Sequence, residues 1–417
     1  MKKYLLASTV LVAGTSTAFA GGMEVGRFNP SFMFQSGNYV ELSVRSSTPD
    51  VTDDTFSPDG SMLGKMTNTS ASVKVALNDR LSIGVTHYDA ARIKLDYADN
   101  GGPFTQTPHP VAAAGSAALN DPATQAAIGA YIAANPGATA QMAMALDGAT
   151  QQAIGAYTLA NAAALPKMQA PYVNLSYKST ALVVSYAVND QIDVFGGIKY
   201  SIADASGDVV ANPAGDIVAK SGSDTAPILG VSYSKPEIAL RVTATYQGKS
   251  ETSHETSTTF LGTTTQLQDT KAALPESFTL DLQTGIAPKT LLLGSIHHAR
   301  WDDAHIYFDG SSTPKSSWQV STTYSVGVGR AINENWAVSA SINYEAASES
   351  AGTSLLSVTD GTRGVTLGAR YTRNNMNVSL GVNYTQFGDK TVTTLGQTGE
   401  FKDNSITTVG LNIGYSF

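Results

Sequence analysis

The chain has 417 residues and a formal net charge of −8, and charged residues make up only 14 % of it, where soluble domains average about 25 %. The absence of cysteine excludes disulfides, thiolate metal sites, thiol catalysis and a lipid-anchored N-terminus. The acidic balance argues against nucleic acid as a partner. The low charge therefore indicates that much of the surface meets something other than water.

The N-terminus has the pattern of a secretory signal peptide. Lys2 and Lys3 precede an apolar stretch over residues 5–14, and a small-residue site ends at Ala20. This pattern predicts a signal peptide over residues 1–20 that is cleaved after Ala20. Beyond it no run of roughly 18 apolar residues occurs, which a membrane-spanning helix would need.

A short segment, residues 21–37, separates the signal peptide from the first strand-like pattern. It holds a cluster of apolar residues, namely Phe28, Phe32, Met33 and Phe34. If the following strands enclose a lumen, this segment can fold back into it and place the cluster there. The cluster would then line an apolar binding pocket or simply plug the pore, and the same residues can do both.

From residue 38 onward, apolar and polar residues alternate as they do in a strand with one apolar face. Near the C-terminus, Val409, Leu411 and Ile413 share one face, while Gly410 and Asn412 share the other. Fourteen such segments follow one another: 38–50, 69–78, 80–95, 171–188, 191–203, 225–234, 237–247, 277–286, 289–300, 318–331, 335–346, 362–372, 375–387 and 404–417.

Short and long connections alternate between these segments. The short ones are turn-forming pairs such as Asn78-Asp79 and Asn374-Asn375, and the long ones are polar loops. This asymmetry and an even strand number are typical of bacterial outer-membrane barrels, in which closure satisfies the backbone inside lipid. We predict an all-β fold, a 14-stranded antiparallel transmembrane β-barrel over residues 38–417. A soluble β-sandwich is the alternative.

The longest loop contains a duplicated alanine-rich stretch, which predicts a helical extracellular insertion over residues 111–166. TQAAIGAYIAAN (124–135) and TQQAIGAYTLAN (150–161) match at nine of twelve positions, with Asp121 and Thr150 as the predicted N-caps. We expect its apolar residues to form a groove that captures hydrophobic molecules: Ile128, Tyr131, Ile132, Met142, Met144, Ile154, Tyr157 and Leu159. An alanine-rich spacer or adhesive tip without a ligand is the alternative.

Basic residues on the lumen faces of the strands are candidates for binding a carboxylate head group. Strand parity places five of them there, opposite the apolar residues: Arg45, Lys74, Lys199, Arg241 and Arg370. A fatty acid would use one or two of them. The others would solvate the lumen or pair with acidic neighbours.

The stretch HHARWDDAH, residues 297–305, has the composition of a metal site. However, His297 and His298 point to opposite faces of a strand, so they cannot share an ion without a bulge. We therefore expect no metal site at this stretch, including at Asp302, Asp303 and His305. No other cofactor is expected.

Several stretches resemble the long-chain fatty-acid and hydrocarbon transporters of the outer membrane (FadL type). The stretch from Ala273 to Asp303 resembles that family's proline-glutamate strand entry and the Trp-containing strand after it. NPSFMF, Asn29 to Phe34, resembles its Asn-Pro plug motif, with Ser31 where alanine is usual. Residues 39–51, 78–85 and 360–389 add similar strands and hairpins. The resemblance covers essentially the whole mature chain, although only a short plug precedes the first strand.

The resemblance implies a fourteen-stranded barrel, an extracellular helical landing site and a kinked third strand with a lateral gap. In this chain, clean alternation in the third strand is lost around residues 87–91. The candidate lateral gate comprises Gly84, His87, Tyr88 and Ala91.

The sequence therefore predicts passive uptake of long-chain fatty acids or other hydrophobic molecules across the outer membrane, through a plugged barrel with lateral exit. Its expected partners are the hydrophobic ligand, outer-membrane lipid and, through the terminal Phe417, the barrel-assembly machinery. A general diffusion porin and a surface-display or adhesion barrel are the alternatives.

Overall fold

The computed structural model describes residues 22–97, 102, 116–160, 172–206, 216–260, 263–308, 310, 312–348, 351–394 and 396–417. The predicted signal peptide (1–20) and both ends of the predicted insertion (111–115 and 161–166) lie outside the described residues. The side chain of Leu159 lies outside them too.

Fourteen antiparallel strands close into one barrel, in which each strand pairs with its neighbours in chain order and the last pairs with the first. The strands are β1 (Tyr39–Asp50), β2 (Met66–Ala76), β3 (Leu81–Asp96), β4 (Tyr172–Ala187), β5 (Ile192–Ser206), β6 (Gly222–Lys235), β7 (Leu240–Gln247), β8 (Ser277–Ala287), β9 (Thr290–Ala299), β10 (Ser321–Ala331), β11 (Trp336–Glu345), β12 (Asp360–Arg373), β13 (Met376–Gly388) and β14 (Ser405–Ser416). The predicted fold is confirmed, and no strand boundary differs from its predicted segment by more than three residues.

Side chains alternate between an apolar outer surface and a polar lumen. Leu42, Ile342 and Leu367 are among the exposed apolar residues of the outer surface. Trp336 and Tyr344 lie on that surface at the two ends of β11. With a rise of about 3.3 Å per residue and a strand tilt of about 40°, they stand roughly 20 Å apart along the barrel axis. This separation suits the aromatic borders of the apolar band in an outer-membrane barrel.

In three of the short turns an asparagine side chain makes the same pattern of hydrogen bonds to the backbone. The side-chain oxygen of Asn78 accepts from the backbone N–H groups of Arg80 and Leu81, each at 2.9 Å. Asn189 and Asn333 make the equivalent pairs of bonds in the turns before β5 and β11. Because each side chain satisfies two backbone donors locally, these hairpins are held without help from the lumen.

The turn between β6 and β7 is longer than predicted. The period-two pattern places the start of the strand at residue 237, but Pro236–Ile238 form one turn of 3-10 helix. Ala239 then adopts a left-handed conformation with φ of 53°, and the strand begins at Leu240. Alternation continues through Ile238, Leu240 and Val242, so the pattern alone cannot separate the turn from the strand.

The long loops at the other end contain additional short strands. Ser250–His254 pairs with Thr270–Leu274, and Lys390–Thr394 pairs with Gln397–Phe401. A third small sheet combines Asp216–Ala219, Thr256–Phe260 and Thr263–Gln266. These sheets cover an apolar cluster in which the buried rings of Trp301 and Trp318 meet edge to face, 5.4 Å between centroids. The loops therefore form a packed cap over this end of the barrel.

The described part of the insertion between β3 and β4 contains four helices: α1 (Ser116–Leu119), α2 (Pro122–Ala134), α3 (Ala140–Leu146) and α4 (Gly148–Ala160). Asp121 caps α2 as predicted, accepting from the N–H of Thr124 at 3.1 Å. For α4 the capping acceptor is Asp147, which accepts from the N–H of Thr150 at 2.8 Å, so the predicted Thr150 cap is corrected. In the described part of the chain, no helix is long and apolar enough to cross a membrane.

Candidate functional site: the occupied lumen and its side opening

The lumen is occupied by the segment that precedes β1, residues 22–38, here called the N-terminal segment. Its side chains Met23, Val25, Phe28, Phe32 and Met33 are buried, none of them more than 3 % exposed. One turn of 3-10 helix, Pro30–Phe34, begins where the side chain of Asn29 accepts from the N–H of Ser31 at 3.0 Å. Proline at the first helical position and this local cap explain why the segment turns here instead of continuing as a strand.

The predicted apolar cluster packs around an aromatic residue of the barrel wall, Phe195 on β5. Phe28 lies 6.3 Å from both Phe32 and Phe195 between ring centroids, and Phe34 lies 6.2 Å from Phe195. Edge-to-face contacts at this spacing stabilise aromatic pairs beyond their buried area. Glycine provides the room for Phe195, because a Cβ at Gly230 would overlap its ring.

The basic lumen residues bind the protein's own backbone and rings. Lys74 donates to the backbone carbonyl of Gln35 in the N-terminal segment, and Lys199 donates to that of Gly248 at 3.3 Å. The Arg241 guanidinium lies over the ring of Phe34, 4.6 Å from the centroid, in cation–π contact. Three of the five predicted basic residues thus hold other parts of the chain in place.

The two remaining basic residues, Arg45 and Arg370, line a polar cavity of about 90 Å³ between the N-terminal segment and the wall. Arg27, Glu41 and Asn68 also face this cavity. Its mostly polar and charged lining suits a carboxylate or a few water molecules better than an alkyl chain. A much larger cavity of about 1240 Å³ opens below Phe34 at the short-turn end.

The barrel wall opens between β2 and β3. The two strands pair from Ala76 with Ser82 up to Ser70 with Tyr88, and no further. Beyond that point β2 pairs only with β1, and β3 pairs only with β4. The pairing of β3 with β4 also shifts by one residue between Asp89 and Ala91, which marks a β-bulge that bends the strand. We call the unpaired stretch, residues 66–69 opposite 89–96, the wall gap.

Side chains bridge the wall gap where backbone pairing has ended. Asp89 accepts from the N–H of Thr69 at 2.7 Å and from its hydroxyl at 3.2 Å. Arg92 donates to the backbone carbonyl of Thr67 at 3.0 Å. Side chains can rotate away from such contacts without unfolding a strand, whereas a continuous ladder would have to be broken.

The free edge of β3 in the gap is covered from within by other parts of the chain. Val25 donates to the carbonyl of Ala90 at 3.0 Å, and Arg92 donates to that of Met23 at 2.9 Å. Further along, the loop residues 62–64 bond with residues 94–96 of the same edge. The N-terminal segment therefore covers part of the β3 edge in the wall gap while it lies in the lumen.

The four predicted gate residues lie in different places. Gly84 lies in the paired part of the wall, where a Cβ would overlap Met33. His87 faces outward and hydrogen-bonds Thr180 at 2.9 Å. Tyr88 is the last residue of β3 that pairs with β2, and Ala91 lies inside the wall gap, bridged to Glu24.

The predicted groove residues lie on helices that contact one another, with α2 packed against α3 and α4. Ile132 and Met142 are exposed. Ile128, Tyr131, Met144, Ile154 and Tyr157 are half-buried, and the side chain of Leu159 lies outside the described residues. The helices thus leave apolar surface uncovered.

The histidines of the HHARWDDAH stretch point in three directions. His297 faces the lumen and His298 faces outward, where it hydrogen-bonds Thr322 at 2.8 Å. Trp301–Asp303 form one 3-10 turn, after which His305 stacks on Trp318 in the cap with centroids 6.5 Å apart.

Burial in the cap lowers the pKa of His305, although Asp302 and Asp303 oppose this effect.

No protein-family model and no curated protein matches the chain in sequence. In structure it is similar to a FadL homologue of Pseudomonas aeruginosa, with 12 % identity, a TM-score of 0.62 and 96 % of each chain covered. It is also similar to the toluene transporter TodX of Pseudomonas putida, with 13 % identity, a TM-score of 0.58 and 95 % of this chain and 96 % of that one covered. The toluene transporter TbuX of Ralstonia pickettii matches with 11 % identity, a TM-score of 0.57 and coverage of 96 % and 97 %. The fold is that of the FadL-type channels. The resemblance predicted from the sequence is confirmed at the level of the fold.

Several contacts in the lumen and at the wall gap were not predicted from the sequence. Phe195 completes the aromatic cluster, and Asp89 and Arg92 bridge the wall gap. Their roles depend on strands that lie far apart in the chain or on the loss of backbone pairing. The only sequence signal was the broken alternation after His87, which marked the region but not the contacts.

Proposed function

We propose that the protein is an outer-membrane channel for the passive uptake of hydrophobic small molecules, which leave the lumen sideways into the membrane. The observation that carries this proposal is the wall gap between β2 and β3, bridged by side chains and backed by the N-terminal segment. Such a gap gives a solute in the lumen a sideways way out through the barrel wall, and a hydrophobic solute gains by moving towards lipid instead of water. A pore that releases polar solutes into the periplasm has no use for such an opening.

The proposed route has four steps. The exposed apolar surface of the helical insertion captures the molecule outside the cell. The molecule then passes under the loop cap into the lumen, where the aromatic cluster around Phe195 provides apolar contacts. Displacement of the N-terminal segment exposes the wall gap, and the molecule leaves between β2 and β3. Neither a metal nor a nucleotide takes part in any step.

The structural neighbours support a hydrophobic substrate. TodX and TbuX are described as toluene transporters, and a further similar barrel, CymD, as a monoaromatic hydrocarbon channel, with 11 % identity and a TM-score of 0.52. We propose fatty acids or other hydrophobic molecules as the substrate class of this chain. Basic residues at the polar cavity, Arg45 and Arg370, provide a place for an acidic head group.

The test is a reversible lock across the wall gap. The chain contains no cysteine, so Thr69→Cys combined with Asp89→Cys introduces a single pair where a backbone N–H and a side chain now lie 2.7 Å apart. Uptake of labelled palmitate, toluene and a small sugar is measured in cells before and after reduction. The matched control pair is Ser47→Cys with Thr408→Cys, across the continuous seam between β1 and β14, where the two hydroxyls lie 2.9 Å apart.

Lateral exit predicts that the oxidised pair at 69 and 89 blocks palmitate or toluene uptake, that reduction restores it, and that the control pair has no effect. Sugar uptake in every state would indicate a diffusion porin. A surface-display barrel would take up none of the three probes, and deleting residues 116–160 would then remove adhesion only.

A further inference from the structure

Glu24 connects two walls of the barrel that lie across the lumen from each other. Its backbone forms a bridge with Ala91 on β3, between the hydrogen bonds of Met23 and Val25. Its carboxylate Oε2 lies 2.9 Å from Nε2 of His297 on β9. Because β3 and β9 are six strands apart in the ring, one residue of the N-terminal segment spans the lumen.

His297 is fixed in the orientation that this contact requires. It is only 3 % exposed, and its other ring nitrogen, Nδ1, lies 2.8 Å from the hydroxyl of Thr279 on β8. Both ring nitrogens are therefore engaged, one by the wall and one by the N-terminal segment. A ring held from behind in this way offers its second nitrogen at a constant position, as histidines do when a second partner orients them.

Charged groups surround the pair on several sides. Glu345 on β11, Lys199 on β5 and Arg27 in the N-terminal segment all interact electrostatically with Glu24. The carboxylate of Glu345 is itself bound by the Thr323 hydroxyl at 2.8 Å. Charge-assisted hydrogen bonds are the stronger class, and low exposure protects this one from water.

We propose that the Glu24–His297 pair is a tether that holds residues 22–26 in the wall gap, and that its release is the step that frees the lateral exit. The proposal rests on the function proposed above. Without the tether, the hydrogen bonds of Met23 and Val25 to β3 remain, but they form only a short local ladder. Once the predicted signal peptide is cleaved, this ladder lies at the end of the chain, where fraying is easiest. His297 is thus a positioning residue, since it acts on transport through the N-terminal segment.

The test measures whether the segment leaves its place. Met23 is 1 % exposed, and Met23→Cys introduces a single thiol into a chain that has none. In the full-length protein, a water-soluble maleimide should label this thiol slowly. Adding His297→Asn or Glu24→Gln should raise the labelling rate about tenfold or more, because loss of a charge-assisted hydrogen bond shifts an equilibrium by that order.

Two further variants separate the tether from general disruption. His298→Asn changes the next residue on the same strand, which faces outward to Thr322, and it should label like the parent. The exchange of Glu24→His with His297→Glu restores a pair of the same two groups and should return labelling towards the parent rate. Heat-modifiable electrophoretic mobility shows that each barrel is folded.

Parent-like labelling in folded His297→Asn, or no recovery in the exchange variant, would overturn the tether. Uptake of palmitate and toluene, measured on the same variants, keeps the two proposals apart. Faster labelling without any change in uptake leaves the tether standing and removes the proposed function. If the disulfide between residues 69 and 89 blocks uptake but His297→Asn leaves labelling unchanged, the proposed function stands and the tether is removed.

Discussion

The carboxylate of Asp89 accepts a hydrogen bond from the backbone N–H of Thr69, 2.7 Å away, one position beyond the last residue pair of β2 and β3. A side chain here takes the place of a backbone carbonyl in the sheet. The two strands therefore stay in contact at this position without a continuous backbone ladder. The outward-facing hydroxyl of Thr69 donates to the same carboxylate, so two donors depend on one residue.

Replacing this carboxylate should loosen the wall locally. We expect Asp89→Ala to leave the N–H of Thr69 unpaired, at a cost of about 1–3 kcal/mol, and to accelerate amide hydrogen exchange in residues 66–69. Asp281→Ala is the control, because Asp281 accepts from Ser295 across two strands that remain fully paired there. Exchange by mass spectrometry measures both. Equal acceleration at residues 66–69 in the two variants would contradict a role specific to the gap.

Adding a side chain at Gly84 should displace the N-terminal segment. A Cβ there would overlap Met33 and come within 2.7 Å of Phe32 Cε2, and overpacking of this kind forces neighbours to move. We expect Gly84→Val to raise single-channel conductance in planar bilayers about threefold or more, as the pore becomes less obstructed. Gly294→Val is the matched control, since a Cβ there meets nothing closer than 3.7 Å. Parent-like conductance in folded Gly84→Val would show that the segment does not set the pore.

Removing the helix caps of the insertion should weaken capture but not passage. Asp121 and Asp147 each bind the N–H of a threonine three residues further on, and loss of such a cap costs about 0.5–2 kcal/mol of helix stability. We expect the double variant Asp121→Ala/Asp147→Ala to lower uptake at low substrate concentration and to leave the saturating rate unchanged. Asp190→Ala in a short turn is the control. A lower saturating rate alone would place the insertion on the transport path itself.

The loop cap should loosen as the pH falls. Burial lowers the pKa of His305 below its ordinary value of 6.5, so the folded cap binds a proton more weakly than the unfolded loop does. Its stability is therefore full at higher pH and falls as the pH drops through 6.5.

We expect iodide quenching of tryptophan fluorescence to increase between about pH 8 and about pH 5. The measurement is made on a Trp336→Phe background, which leaves Trp301 and Trp318 as the probes. His305→Asn should abolish the dependence, and its persistence in that variant would assign it to another group.

The strands were predictable because lipid outside and water inside impose a period of two on every one of them. The pattern failed at Pro236–Ile238, where a 3-10 turn happens to keep the same alternation as the strand that follows. The turn at Asn78 was also predictable, because its side chain bonds to residues only two and three positions away. Patterns between residues that are close in the chain therefore predict the strands and turns of the barrel, but not the side-chain contacts inside its lumen.

The contacts in the lumen depend on the closed fold and could therefore not be predicted from the sequence. Parity placed His297 and His298 on opposite faces of a strand, but Glu24, the partner of His297, lies 273 residues earlier in the chain. Phe195 has space only because Gly230, on the neighbouring strand, has no side chain. The aromatic cluster of the N-terminal segment was predictable from composition, whereas the wall residue that it packs against was not.

The buried threonines of the two helical repeats, Thr124 and Thr150, stand 26 positions apart, and each is bound by an aspartate three residues before it. The N-terminal cap of each helix thus comes from within the insertion and not from the barrel. Such a unit can be copied in tandem or lost at the level of the gene without disturbing any strand. The length of this loop can therefore change while the hydrogen-bond pattern of the barrel strands stays the same.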